Sequence, residues 1–180
     1  MRLPYILTLL LVISGSVHAR HISGQVTEIV DYKTINMTDT GGSRQRVELA
    51  GLAELPAGHP LQRQARNRLI SLIAGKHIEL DTVADDRHRP QLAAVSYGGL
   101  DVSSRLLQEG LGITTNDSLA VLPENLQRQY LLAEDQARQQ LRGIWSGRQP
   151  QQGERYYQPY WLQPGIPSPL LHAPVYTPKR

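Results

Sequence analysis

The chain has 180 residues, a length that suits one domain with appended segments better than two full domains. It contains no cysteine, which excludes disulfides, thiolate metal sites, a cysteine nucleophile and a lipid-modified cysteine anchor. The formal net charge is +3, but residues 20–145 hold 14 Lys or Arg against 15 Asp or Glu. The predicted globular part is therefore near neutral, which permits a basic face for binding nucleic acid by phosphate neutralisation but does not argue for one.

The N-terminus has the features of a secretory signal peptide. Arg2 precedes an apolar run from Ile6 to Ile13, and Ala19 is the small residue that a cleavage site requires. We therefore expect residues 1–19 to be removed and the mature protein to be periplasmic or secreted; an uncleaved membrane anchor is the alternative. No later stretch approaches the roughly 20 apolar residues that a membrane-spanning helix needs, so no span is expected in the mature form.

Alternation of apolar and polar residues predicts five strands. A Gly-Gly-Ser turn separates the second from the third, and a charged turn over 85–90 separates the fourth from the fifth. The predicted strands span residues 21–31, 34–39, 44–52, 77–83 and 92–97.

Helical periodicity predicts three helices, over residues 59–75, 102–109 and 123–143, each followed by or ending at a glycine. The predicted buried stripe of the third helix consists of Leu126, Tyr130, Ala133, Ala137 and Leu141. Its predicted exposed face consists of Gln127, Arg128, Glu134, Asp135 and Arg138. The order of elements predicts an α+β, mainly β fold: a five-stranded OB-fold barrel with three packed helices.

The composition changes after Trp145. Seven of the twelve prolines lie from Pro150 onward, which excludes a helix or a central strand through this segment. We expect residues 146–180 to form a disordered or polyproline-like tail. The alternative is that its aromatic residues pack back on the domain or bind a partner protein of the cell envelope.

The order of elements and several short strings resemble the staphylococcal-nuclease-like, or thermonuclease, domain from about Ile22 to Trp145, within a domain predicted over residues 20–145. The strings include a counterpart of the family's D-G-D-T turn, of its V-R-L-x-G-I strand and of its D-R-Y-G-R turn. In this chain they read Val30-Asp31-Tyr32-Lys33-Thr34, Val47-Glu48-Leu49-Ala50-Gly51-Leu52 and Asp86-Arg87-His88. The resemblance implies the fold of that family, whose members cleave phosphodiesters with calcium, two metal-binding carboxylates, a glutamate and two arginines.

This chain departs from the family at each of those functional positions. The second acid of the D-G-D-T turn falls on Lys33, and the arginine of V-R-L falls on Glu48. The acid of the following D-A-P-E string falls on Ala53, its glutamate on Pro56, and the arginine that ends D-R-Y-G-R on Pro90. The resemblance therefore implies a scaffold with no catalytic residue, no metal ligand set and no cofactor, calcium included.

Two compensations stay open at this point. A one-residue slip of the turn would place Arg89 at the arginine position, and Glu54 could take the place of the missing glutamate, although neither restores a metal site. A different hydrolytic site built from His88, Asp85 or Glu54 is a further alternative to an exposed, solvated turn. His59, His77 and His88 lack the spacing of metal ligands, and His21 follows the predicted cleavage site.

The leading hypothesis is an inactive, exported binding or scaffold module of the cell envelope. Its candidate binding residues are Arg87 and His88, which match the family's basic and aromatic positions, and the adjacent Arg89. The alternative is a residual or calcium-dependent nuclease acting on DNA or RNA. The two hypotheses differ in salt dependence, because binding to nucleic acid falls steeply with salt whereas binding through the tail requires the Tyr/Pro segment.

Overall fold

The computed structural model of the chain describes residues 21–84 and 90–146. Its strands are β1 (His21–Ile29), β2 (Thr34–Asp39), β3 (Arg44–Leu49), β4 (His77–Ala84), β5 (Gln91–Tyr97) and β6 (Leu100–Asp101). Its helices are α1 (Pro60–Ile73), α2 (Val102–Gln108), α3 (Asn116–Ala120) and α4 (Glu124–Gln139), followed by a 3₁₀ turn at Gly143–Trp145. The predicted signal peptide and residues 147–180 lie outside the described residues.

Five strands close into a barrel of mixed strand direction. The strand order is β3-β2-β1-β4-β5-β6, with antiparallel pairing between neighbours. A parallel pairing of β3 with β5, in which Val47 lies opposite Gln91 and Leu49 opposite Ala93, completes the ring. The predicted α+β fold with a five-stranded OB-type barrel is confirmed.

Two short elements were not expected. The two-residue strand β6 pairs with β5, and the five-residue helix α3 precedes α4. The helix begins at Thr115, whose hydroxyl accepts from Ser118 N while the Ser118 hydroxyl accepts from Thr115 N. Both elements are too short for a periodic hydrophobic pattern, so periodicity could not indicate them.

Aliphatic side chains fill the barrel because the chain has no phenylalanine. They come from alternate positions of the strands, as expected when successive side chains point to opposite faces of a sheet. Each of the following is at most 2% exposed: Val26, Ile35, Met37, Val47, Leu49, Ile78, Leu80 and Val95. Helix α2 contacts both α4 and β5 and so links the helices to the barrel.

Helix α1 follows its predicted pattern. His59 caps it, with Nδ1 accepting from Leu61 N at 3.2 Å, and Pro60 occupies the first turn, where a missing N–H costs nothing. Every fourth residue is buried: Leu61, Ala65, Leu69 and Ile73. The helix therefore presents one narrow apolar stripe, part of it to the barrel core and part to a smaller cluster beside it.

The predicted faces of α4 are partly wrong. Tyr130, Ala133 and Ala137 are buried as expected, but Leu141 is 53% exposed and Glu134 is only 2% exposed. The helix ends at Gln139 and Leu141 has a φ of 50°, so Leu141 no longer continues the helical stripe. Glu134 is buried because it finds hydrogen-bond donors inside the fold, which periodicity alone does not reveal.

The last described turn is held against α2 by a close backbone contact. Ile144 N donates to Gly110 O at 3.0 Å. A Cβ at Gly110 would lie 2.2 Å from the carbonyl oxygen of Arg142, and both Gly110 and Gly143 have positive φ. Only glycine meets both conditions without strain, so residues 143–145 belong to the folded domain.

Candidate functional site

A tight turn between β1 and β2 forms one side of the candidate site. One carboxylate oxygen of Asp31, Oδ1, accepts from the backbone N–H groups of Lys33 and Thr34, at 2.8 Å each. Leu49 N donates to Lys33 O at 2.7 Å, which extends the pairing of β2 with β3 by one step. The turn therefore places Lys33 alongside the end of β3.

The Lys33 side chain forms ion pairs with two glutamates from different segments. Its Nζ lies 2.7 Å from Glu48 Oε1, on β3, and 2.6 Å from Glu54 Oε2, in the loop of residues 50–59 that follows β3. The exposed fractions of the three side chains are 13% for Lys33, 30% for Glu48 and 75% for Glu54. The single ammonium thus joins the turn, the strand end and the loop.

The charge state of Lys33 follows from these contacts. Burial lowers the pKa of the ammonium, but the hydrogen bonds to Glu48 and Glu54 outweigh burial and raise the pKa above its ordinary value of 10.5. Lys33 is therefore protonated at neutral pH. A protonated amine is neither a nucleophile nor a general base.

Tyr32 completes this group, which we call the Lys33 cluster (Tyr32, Lys33, Glu48 and Glu54). Its ring is 5% exposed, and its hydroxyl lies 3.2 Å from Glu54 Oε1 and accepts from Leu55 N at 2.8 Å. Burial raises the pKa of the Tyr32 hydroxyl, with the Leu55 N–H acting in the opposite sense. Both carboxylate oxygens of Glu54 are thus engaged by the turn.

The 50–59 loop has further anchors along its length. Gly51, with a φ of 83°, packs against the Tyr130 ring so closely that a Cβ would lie 2.2 Å from the ring. Ala53 N donates to Ile113 O at 2.9 Å. The Gln62 amide of α1 donates to the carbonyls of Leu55 and Pro56. These bonds fix the backbone of the 50–59 loop, so Glu54 enters the Lys33 cluster from a defined loop conformation.

Arg66 of α1 binds backbone carbonyl groups at the end of β1, next to the β1–β2 turn. Arg66 Nη2 donates to Ile29 O at 3.0 Å, and its Nε lies 3.4 Å from Val30 O. The arginine next along the same helix, Arg68, is bound by both oxygens of Glu109. These two guanidinium groups have structural partners within the domain.

The structure locates each position at which the sequence departs from the family. Lys33 and Glu48 are in direct contact, Ala53 is buried, Pro56 is exposed, and Pro90 is half-buried just before β5. The first two, whose charges are opposite to those expected from the resemblance, compensate each other.

The predicted binding residues Arg87, His88 and Arg89 lie outside the described residues, as does Asp85. Their contact with the site therefore stays a prediction. Sequence reasoning missed the partnership of Glu54 with Lys33 and Tyr32. The sequence did hold a signal for this contact, because Tyr32 and Lys33 occupy the Gly-Asp positions of the D-G-D-T turn. A lysine at that position requires acidic partners, and Glu48 and Glu54 supply them.

The donor set of this site does not fit the calcium ion that the family resemblance implies. Within residues 21–84 and 90–146, no group of three or more His, Asp or Glu side chains is arranged to hold a metal ion. The carboxylates of Glu48 and Glu54 face the Lys33 ammonium, and Asp31 Oδ1 is bound by backbone N–H groups. A divalent cation would have to displace or approach a fixed positive charge, which Coulomb repulsion disfavours.

The described histidines have local roles. His59 caps α1, and His21 Nδ1 lies 2.8 Å from Asp81 Oδ1, an interaction that raises the pKa of His21. His77 begins β4. In the part of the chain that the structure describes, no helix has the length and apolar character of a membrane span.

Comparison with known families agrees with this architecture. The model of the family described as staphylococcal nuclease homologue matches residues 40–147, more than half of the chain. The chain therefore belongs to the staphylococcal nuclease homologue family. No curated protein matches it. The match begins in the turn between β2 and β3, so the Lys33 turn precedes it, although β1 and β2 complete the barrel.

Proposed function

We propose that this protein is a catalytically inactive member of its family that acts, after export, as a binding or scaffold module in the cell envelope. The observation that carries the proposal is the position of Lys33 Nζ, 2.7 Å from Glu48 and 2.6 Å from Glu54. The resemblance places a metal-binding acid at residue 33 and a phosphate-binding arginine at residue 48. The chain has a cation and an anion there instead.

The energetic consequence for catalysis is large. Removing one group that stabilises transition-state charge lowers the rate by about 10²–10³. Here the metal-binding acid, the glutamate and both arginines are replaced, and the residues at 33 and 48 carry the opposite charge. A phosphodiester would meet Glu48 where the reaction requires an arginine, so this position opposes the build-up of negative charge.

The loops and the tail are the proposed means of binding. The described loops keep their backbone anchors, and Arg87, His88 and Arg89 precede β5 in the sequence. The tail adds tyrosines, Trp161 and seven prolines, a composition typical of segments that dock on partner surfaces. We propose an envelope protein as the partner, with the tail as its main contact.

The test of inactivity is a nuclease assay on the mature chain, from residue 20 onward, purified from a host without the competing nucleases. We expect no digestion of single-stranded DNA, double-stranded DNA or RNA in millimolar calcium, with a thermonuclease as the positive control. Cleavage that requires calcium and disappears when this protein is unfolded would contradict the proposal.

Membership of the nuclease family favours one second candidate, residual binding to nucleic acid or residual cleavage of it. A capture experiment distinguishes the two functions. The full mature chain and a chain ending at Gly147 are each used to capture binding partners from envelope extracts. Capture of a protein that depends on the tail and persists in high salt supports the scaffold function. Binding of nucleic acid that is independent of the tail and falls steeply with salt supports the alternative.

A further inference from the structure

We propose that Lys33 is a tethered cation: its ammonium holds the 50–59 loop against the β1–β2 turn and so makes the conformation of this loop independent of any metal ion. The proposal rests on the misfit between the family's calcium and the donor set of this chain. It concerns the order of the loop and does not depend on the identity of a partner.

The connectivity of the Lys33 cluster supports this role. Lys33 and Glu54 are 21 residues apart in sequence, yet Nζ lies 2.6 Å from Glu54 Oε2. The same ammonium lies 2.7 Å from Glu48 Oε1. Without the positive charge, the two carboxylates would face one another across the site and repel. Lys33 is therefore the group that allows both carboxylates to approach the same point.

Burial of the Lys33 and Tyr32 side chains restricts the positions of the two groups that bind Glu54. The Lys33 side chain is 13% exposed, whereas an isolated surface lysine keeps its head group in water. Tyr32 engages the other oxygen of Glu54, and its hydroxyl accepts the N–H of Leu55, the next residue of the loop. The cation, the phenol and the loop backbone thus form one continuous hydrogen-bonded unit.

A covalently attached cation differs from a bound metal in one measurable respect. An ion must be drawn from solution, so the fraction of loops that it holds depends on its concentration. An ammonium on the same chain has a fixed, high effective concentration at the site. Order in the 50–59 loop should therefore be the same with a chelator and with calcium.

The experiment is amide hydrogen exchange on the full mature chain, with chelator and with millimolar calcium. It compares the wild type with Lys33→Met and with the control Lys76→Met, because Lys76 is an exposed lysine immediately before β4. The reporting amides are Ala53 N, bonded to Ile113 O, and Leu55 N, bonded to the Tyr32 hydroxyl. Amides of Val95 and Leu106 report on the core.

We expect equal protection of the wild-type loop in both solutions. Lys33→Met should raise the exchange rates of the Ala53 and Leu55 amides by about tenfold, because these amides exchange through local opening. The core amides of this variant, and all the reporting amides of Lys76→Met, should exchange at wild-type rates. Glu54→Gln, a change at a 75% exposed side chain, should raise loop exchange in the same amides and serves if Lys33→Met does not fold. Unchanged loop exchange in the folded variants, or wild-type protection that requires calcium, would overturn the proposal.

Discussion

The helix side of the domain and the Lys33 cluster both enclose carboxylates, but they satisfy them with different donors. On the helix side, Asp101 accepts from Ser104 N at 2.7 Å and from the Tyr130 hydroxyl at 3.0 Å. Glu134 accepts from both the backbone N–H and the hydroxyl of Thr114. In the Lys33 cluster, by contrast, a single ammonium is shared by two glutamates that are partly open to water.

The depth of each region explains this difference. Glu134 is only 2% exposed, and burial raises the pKa of Asp101 against the effect of its hydrogen bonds. Arg138 binds the other oxygen of Glu134 at 2.6 Å and stacks on Trp145, 4.4 Å from the ring centroid. The helix side should therefore dominate global stability, whereas the Lys33 cluster should govern local order. The predictions that follow test this division.

The largest effect is expected from Tyr130→Ala. Tyr130 is fully buried, lies against Gly51 and donates to Asp101, so its truncation leaves a cavity and removes one hydrogen-bond donor from the Asp101 carboxylate. We expect the free energy of unfolding, from urea denaturation, to fall by about 4 kcal/mol. Tyr97→Ala is the control, because Tyr97 is 38% exposed and should cost under about 1 kcal/mol. If Tyr130→Ala and Tyr97→Ala lowered the free energy of unfolding equally, the helix side would not dominate global stability.

Glu134→Ala should follow, with a loss of about 3 kcal/mol. The change leaves the Thr114 N–H and hydroxyl without their acceptor and the Arg138 guanidinium without its carboxylate. Asp135→Ala is the matched control on the same helix, because Asp135 accepts from the exposed Gln139, and it should stay within about 0.5 kcal/mol of wild type. A Glu134 variant as stable as the Asp135 variant would show that this carboxylate is not required.

Lys33→Met should lower the free energy of unfolding by about 1–2 kcal/mol, less than the two previous changes, because its glutamates are partly solvated. The double variant Lys33→Met, Glu48→Gln should regain part of this loss, since it removes one of the repelling charges. Lys76→Met is the control.

The pH dependence of the Lys33 contribution has a definite sign. Because the folded-state pKa of Lys33 is raised above 10.5, its stabilising contribution is fully present below about pH 10.5 and is lost as the pH rises through the folded value. The difference between wild type and Lys33→Met should therefore shrink in strong alkali. A difference that grew with pH above 10.5 would mean that the ammonium does not carry the stabilisation.

Ending the chain at Gly147 should change the free energy of unfolding by less than about 0.5 kcal/mol, because the last turn is held by its backbone contact with Gly110. Trp145→Ala in the full chain should cost about 1–2 kcal/mol through loss of the stacked Arg138. A larger loss on truncation than on Trp145→Ala would place part of residues 148–180 in the core.

The smallest expected effect is that of calcium on the wild-type melting temperature. A ligand at a hundred times its Kd stabilises the folded state by about 2.7 kcal/mol, which would raise the melting temperature by several degrees. We expect no specific shift in millimolar calcium relative to sodium chloride of matched ionic strength. A calcium-specific rise that Asp31→Asn abolishes would restore a metal site to this turn.

The amino-acid sequence by itself determined the elements and the barrel. Strand alternation predicted β1, β2 and β3 to within three residues at each end, and helical periodicity predicted the starts of α1 and α2 to within one residue. These signals are local, because the spacing of apolar residues on one element is set by the geometry of that element.

Tertiary structure alone decided the partners. The pairing of Lys33 with Glu54, the inward position of Glu134 and the outward position of Leu141 each depend on segments that are distant in sequence or on where a helix ends. Periodicity assigns a polar residue to the solvent because an unpaired charge is costly to bury. Periodicity does not detect a hydrogen-bond donor that is distant in sequence. Thr114, 20 residues from Glu134, is such a donor, and it offsets the cost of burying Glu134 once the chain has folded.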